Sequence, residues 1–224
     1  MVRRSGANLA LLALTSGLCA CAAGSGHGGE AGVVEEPFAG AEVGARPQAP
    51  WRVEATNQGA SRARWEFDAD PERGAVLRLA RIESPATAAY NLCWRPGSFR
   101  DGTISVEARA RTGRIDQGGG LLWRVQDANH YYVVRYNPLE QNLRVYKVIA
   151  GRRTQLASRE DLTIGSDQWF TLRVVHEGAR IRCFLDGQQL LEAEDEALPG
   201  GGGVGLWTKA DAATDFARLR IEPR

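Results

Sequence analysis

Residues 169–195 read WFTLRVVHEGARIRCFLDGQQLLEAED, and this stretch decides the fold class. Leu172 and Val174 alternate with Arg173, and Glu177-Gly178 then makes a turn. Ile181, Cys183 and Leu185 follow, opposed by Arg182 and Phe184, up to a second turn at Asp186-Gly187. Apolar residues at every second place, bounded by turn-forming pairs, mark half-buried antiparallel strands. The same period runs upstream. Thr103-Ile104-Ser105-Val106-Glu107-Ala108-Arg109-Ala110 sends Ile104, Val106 and two alanines to one face, and Ser105, Glu107 and Arg109 to the other. Leu143, Val145 and Lys147 alternate with Arg144, Tyr146 and Val148. No segment carries four turns of amphipathic helix; residues 155–162 are expected to hold a turn or two at most. Strands without crossover helices predict an all-β, two-sheet antiparallel sandwich over residues 51–224. About twelve to fourteen strands are expected, with residues 51–67 and 216–221 as the terminal pair.

Composition agrees. Of 224 residues, 43% are hydrophobic and 25% charged, enough for a core and against global disorder. The formal net charge of +1 excludes a broadly electropositive nucleic-acid binder. Only Lys147 and Lys209 among 28 basic residues are lysine, a skew of coding composition, so clustered arginines do not by themselves mark a phosphate site. No phosphate loop, dinucleotide fingerprint or nucleophile elbow is present, and the glycine run 200–203 has no helix after it.

The first fifty residues point to export. Arg3 and Arg4 precede an apolar stretch, Leu9 to Leu14, which leads into small residues and Leu18-Cys19-Ala20-Cys21. A basic start and a short apolar centre make a signal segment, too short to span a bilayer permanently. The final tetrad resembles a bacterial lipobox, which implies cleavage after residue 20 and acylation of Cys21; an ordinary cleaved signal with incidental cysteines is the alternative. Residues 21–50, rich in Gly, Ala, Glu and Pro, are expected to form a flexible tether. The expected location is the cell envelope, with the membrane reached through the lipid anchor only.

Residues 116–149 read DQGGGLLWRVQDANHYYVVRYNPLEQNLRVYKVI, followed by GRRTQLAS at 151–158 and the block that runs from Gln168 through the opening stretch to Phe216. Together these resemble the concanavalin A-like jelly roll, in particular the 3-keto-disaccharide hydrolase domain family, loosely akin to family 16 glycoside hydrolases. The resemblance covers roughly residues 60–222. It implies a jelly-roll sandwich and a glycan or glycoside-derived ligand, with action on 3-keto-glycosides as the enzymatic alternative. Family 16 catalysis needs two carboxylates on one strand face, and no E-x-D-x-x-E stands here; Glu192 to Glu196 reads as a solvated strand end. The family usually shows Asn-Ser-Gly before an apolar strand ending in Arg, then Glu and Gln at alternate places. Here Gly118-Gly119-Gly120 leads to Arg124, and the Glu and Gln places are expected at Tyr132 and Val134, so the obvious general base is lost.

What remains is a candidate binding face. Arg124, Arg135 and Arg144 fall on three strands expected to be neighbours, with Tyr146 close by. Val204 and Leu206 belong to the buried parity, which leaves Trp207 and Lys209 on the other. A tryptophan beside planar polar groups is sugar-platform chemistry; arginines ion-paired to Glu107, Glu140 or Asp211 are the structural alternative. A bulge near Asn129-His130 is expected to reconcile the parities of Tyr132 and Arg135. If the domain is an enzyme, Arg124 would orient substrate and Glu107 or Glu140 would be the base. No cofactor is expected. Asp116, Asp127, Asn129 and Asp211 are read as turn formers, with structural calcium as the alternative. His130 and His176 lack companion ligands for zinc. Cys93 and Cys183 are either a disulfide or two small core residues.

Overall fold

Strands of alternating polarity bury one face each by pairing into two antiparallel sheets of eight. A computed structural model describes residues 32–36, 38–60, 63–82 and 90–224. The signal segment 1–20 and Cys21 lie outside the described residues. In chain order the strands are β1 (Val34–Glu36), β2 (Arg52–Ala55), β3 (Gly59–Ala60), β4 (Ala63–Asp70), β5 (Gly74–Ile82), β6 (Tyr90–Phe99), β7 (Gly102–Thr112) and β8 (Gly119–Asp127). They continue with β9 (His130–Asn137), β10 (Asn142–Ile149), β11 (Arg152–Arg159), β12 (Trp169–Glu177), β13 (Arg180–Leu185), β14 (Gln188–Glu194), β15 (Gly202–Lys209) and β16 (Ala213–Pro223). The first sheet has the order β14-β13-β12-β7-β16-β5-β4, with β1 also paired to β16; the second has the order β11-β10-β9-β8-β15-β6-β2-β3. The sheets face each other with β14 against β10 and β11, β7 against β8, β16 against β15 and β4 against β2.

The core between them comes from the alternation. Ile104 and Val106 of β7, Leu172 and Val174 of β12 and Ile181 of β13 meet Leu121, Trp123, Val134, Leu143, Val145 and Leu206 of the second sheet. Each fully buried Val, Leu or Ile contributes roughly 1.5–3 kcal/mol. Close sheet geometry sets its own demands. A Cβ at Gly205 would lie 2.4 Å from Cys93 O and from Trp94 Cα, so β15 reaches β6 only because this position has no side chain.

Several expectations are corrected. The described residues form sixteen strands rather than twelve to fourteen, and no helix. Most of residues 155–162 belongs to β11, because a register shift opposite Val145 and Tyr146 turns both Leu156 and Ala157 toward the core and imitates helical spacing. Residues 51–67 do not form one terminal strand: β2 and β3 join the second sheet and β4 the first. β16, which contains residues 216–221, lies inside the first sheet and pairs with β7, β5 and β1.

The folded part begins before residue 51, so the described residues of 32–50 are not the flexible chain expected. β1 pairs with β16, Val34 opposite Ile221 and Glu36 opposite Leu219. Phe38 is buried, with its ring 5.9 Å from Trp51 and 6.0 Å from Phe67. The amide of Gly44 donates to Phe67 O, and that of Phe67 to Ala45 O. Backbone pairing needs no side-chain pattern and one aromatic anchors the segment, so a low-aromatic composition hid it.

Cys93 and Cys183 are separate, fully buried free thiols. Cys93 lies on β6 and Cys183 on β13, near opposite ends of the sandwich. In the facing order, β6 sits about four strand spacings from β13, roughly 19 Å at about 4.8 Å per strand, beyond the reach of a bridge. The disulfide alternative is therefore not realised. Burial raises both thiols well above the usual range. Neither cysteine is expected to react with a maleimide in the native protein, and both should label after unfolding without reductant. Mass spectrometry of the labelled chain checks this; labelling of either cysteine in the native protein, or failure of either to label in the unfolded, unreduced chain, would contradict it.

Candidate ligand-binding site

The outer face of the second sheet gathers most of the candidate residues. Its register places Leu92, Trp207, Gly120, Arg135, Arg144 and Ser158 in one row across six strands. The adjacent row holds Trp94, Gly205, Leu122, Val133, Tyr146 and Gln155. Leu92, Trp94, Leu122, Tyr131, Val133, Tyr146, Val148 and Trp207 form an apolar cluster separate from the inter-sheet core.

This face is strongly curled. Between β11 and β6 lie five strand spacings, about 24 Å if the sheet were flat. Yet the guanidinium of Arg153, on β11, lies 5.0 Å from the ring centre of Tyr90, on β6. At one end the turns are hooked together. Asn57 Nδ2 donates to Gly151 O, and the Asn57 amide to Asn129 Oδ1, at 3.0 and 2.9 Å. Beneath the hook runs an oriented chain: Trp207 Nε1 donates to Tyr131 Oη, which donates to Thr56 Oγ1, which donates to Ala128 O. The tryptophan is thereby fixed, and it is only 1% exposed. Trp207 is a floor beneath Tyr90 and Arg153 rather than the open platform expected.

The other end is polar. Glu140 Oε2 accepts from Arg135 Nη2 at 2.7 Å and Arg144 Nη1 at 3.0 Å. Arg144 also donates to Glu160, and Asn142 Nδ2 to Glu160 Oε2 at 2.9 Å. Lys209 Nζ meets Asp116 Oδ2 at 2.6 Å, and Asn137 Nδ2 donates to Asp116 Oδ1 at 2.8 Å. Burial opposes ionisation of Glu140, but the charge and hydrogen bonds of Arg135, with Asn142 and Arg144, outweigh it and hold the carboxyl below its usual range. The Ser158 hydroxyl, helped by Asn142 and Arg144, does the same for Glu160. These carboxylates are therefore stable anions and poor proton acceptors at neutral pH.

Arg135, Arg144, Tyr146, Trp207 and Lys209 lie on one face, and Arg124 does not join them. Its backbone is left-handed, with φ 47°, where the β8 ladder shifts register. Trp123 still faces the inter-sheet core, Val125 faces outward, and the Arg124 side chain turns into the end of the sandwich. There it is 1% exposed and donates to Arg100 O, Leu198 O, Gly178 O and Asp101 Oδ1. The bulge lies here and not at Asn129-His130. β9 alternates without interruption, so its outer positions are Tyr131, Val133 and Arg135, while Tyr132 and Val134 face the core. Glu107 lies on the outer face of the first sheet, paired with Arg73 and Arg218 at 2.7 Å each. It cannot act beside Arg124 or Arg135.

The loop acids are occupied within the chain. Asp211 accepts the amides of Arg114, Ile115 and Asp116, and Asp127 those of Asn129 and the ring of His130. Asn129 takes part in the hook. Among the described residues no three His, Cys, Asp or Glu side chains converge as a metal site. Sequence reading missed Arg153, Tyr90, Tyr131 and Glu160. The register shift in β11 concealed Arg153, and the parity error on β9 concealed Tyr131.

Residues 51–222 match the family model of the 3-keto-alpha-glucoside-1,2-lyase-like domain. The chain belongs to this family. No curated protein matches it by sequence. Among solved structures, the carbohydrate binding module CBM66 from Bacillus subtilis is similar at 22% identity and a TM-score of 0.57, over 76% of this chain and 94% of that one. A Bacillus subtilis protein of unknown function with a galectin-like fold is similar at 13% identity and a TM-score of 0.55, over 84% and 94%. The exoplasmic/lumenal domain of VIP36, in a Ca2+/Man-bound form, is similar at 14% identity and a TM-score of 0.54, over 85% and 89%. At these identities the likeness establishes the fold, a concanavalin A-like jelly roll. In this chain Arg124 clamps loops at the end of the sandwich, and the outer positions of β9 carry no carboxylate.

Proposed function

We propose that the curled outer face of the second sheet binds a glycan or glycoside-derived ligand without hydrolysing it, on a lipid-anchored protein of the bacterial cell envelope. The observation that carries this reading is the array of planar polar groups, Arg135, Glu140, Arg144, Asn142 and Glu160, beside an aromatic wall. Such groups pair with sugar hydroxyls while rings cover C–H faces. Two structural neighbours, a carbohydrate binding module and a Ca2+/Man-bound domain, support the same ligand class.

Arg144, half-buried and reachable from solvent, is the residue to change. Arg144→Ala is expected to weaken glycan binding about tenfold, the loss of one charge-assisted hydrogen bond, with an unchanged melting temperature. Titration calorimetry against members selected on a glycan array measures it, and equal affinity of variant and parent would refute the assignment. Family membership favours a second reading, cleavage of 3-keto-glycosides. Turnover of a 3-keto-disaccharide by the purified protein, abolished by Glu140→Gln, would replace the binding reading with that one.

A further inference from the structure

We propose that the ligand of this curled face is an anionic sugar, bearing a carboxylate or a sulfate, and that Arg153 is the residue that binds the anionic group. The inference rests on the reading of the face as a glycan site and names the class of glycan. Three cations of the face are already neutralised: Arg135 and Arg144 by Glu140 and Glu160, and Lys209 by Asp116. Arg153 differs. Among the described residues it makes no ion pair, and its Nη1 is buried without a hydrogen-bond partner.

Its surroundings are aromatic. The guanidinium carbon lies 4.4 Å from the ring centre of Tyr146, 5.0 Å from Tyr90 and 6.0 Å from Trp207. Rings attract the cation through their π faces, but they offer no acceptor to the N–H groups, which lie in the guanidinium plane. An in-plane donor left without an acceptor is costly, and a charge beside buried apolar surface is screened less than one in water. Carboxylate and sulfate supply what is missing. Each presents two oxygens at the spacing of the guanidinium fork and a negative charge. A neutral hydroxyl would satisfy one N–H and leave the charge uncompensated. Arg153 and Tyr90 are both partly exposed residues at the edge of this cluster.

The test is a glycan array carrying uronate-, sulfate- and neutral-terminated oligosaccharides, followed by titration of the purified protein with the members that bind. Acidic members are expected to bind, with affinity that falls as NaCl is raised. Arg153→Gln is expected to lose roughly 30-fold in affinity for them, and Arg153→Lys less. The uronate and sulfate arms tell the two anions apart. Binding of neutral members only, insensitive to salt and to Arg153→Gln, would overturn the anionic assignment and leave the glycan reading intact. Binding to no member would overturn the glycan reading as well. Should Arg153→Gln fail to fold, the salt dependence of the unaltered protein decides.

Discussion

Arg124→Ala is expected to lower the unfolding free energy by about 3–5 kcal/mol, the range for removing one partner from a buried, hydrogen-bonded charge. The side chain sits at 1% exposure and gathers three segments of chain. Nε donates to Arg100 O at 2.9 Å, Nη1 to Leu198 O at 2.9 Å, and Nη2 to Gly178 O at 3.1 Å and Asp101 Oδ1 at 3.3 Å. Truncation removes four hydrogen bonds, leaving Asp101 Oδ1 with the Gly178 amide as donor, and opens a space beside Tyr132. Lysine restores the charge but not the fork, since a single ammonium cannot reach carbonyls spread around a planar group. Arg124→Lys should therefore recover less than half of the loss. Urea denaturation measures both variants. The folded fraction of Arg124→Ala is expected to bind ligand normally, because the residue lies outside the curled face; a selective loss of binding with full stability would return Arg124 to the site.

Acid is expected to cost the protein about 3 kcal/mol between pH 6.5 and pH 4 through one histidine. His176 is fully buried, and its Nδ1 accepts the indole hydrogen of Trp123 at 2.9 Å, which fixes the neutral ring. Burial, reinforced by the charge of Arg124, lowers its pKa from 6.5 to about 4. The unfolded chain takes up a proton near pH 6.5 and the folded protein only near pH 4. Stability is thus complete above the unfolded value and falls as pH drops toward the folded one. At 1.36 kcal/mol per pH unit, the difference amounts to about 3 kcal/mol. The paired carboxylates Glu140, Asp195 and Asp211 are also held below their usual range, and their loss sets in at lower pH. Urea midpoints between pH 7 and pH 4.5 isolate the histidine. His176→Gln, whose amide oxygen can still accept from Trp123, should flatten that slope; an unchanged slope would assign it elsewhere.

The period-two strands were legible because burial on one face imposes it: β7, β12 and β13 read directly from Ile104, Leu172 and Ile181. The parity of Val204 and Leu206 likewise placed Trp207 and Lys209 on the outer face. Features made by backbone alone were not legible. β1 is held by a ladder that requires no side-chain pattern, and the β8 and β11 irregularities reverse parity at Arg124 and between Gln155 and Ala157 without any marker in the residues. Glu107 alternates as expected, yet alternation does not tell which sheet owns a strand. Trp207 was placed on the right face, but its cover comes from Tyr90 and Arg153, contributed by strands distant in sequence.

The hook between the turns has a mechanical consequence. The edges of an open sheet ordinarily fray independently, each at its own small cost. Here Asn57, between β2 and the edge strand β3, is bound to the backbone at Gly151, before the other edge strand β11, so lifting either border breaks this hydrogen bond. Flattening the sheet also parts the Asn57 amide from Asn129 and removes the Thr56 acceptor beneath Tyr131. The two borders therefore behave as one cooperative unit, and amides of β2 and β11 should exchange with solvent deuterium at a common rate. A single asparagine thus joins the two borders of the curled sheet like a clasp.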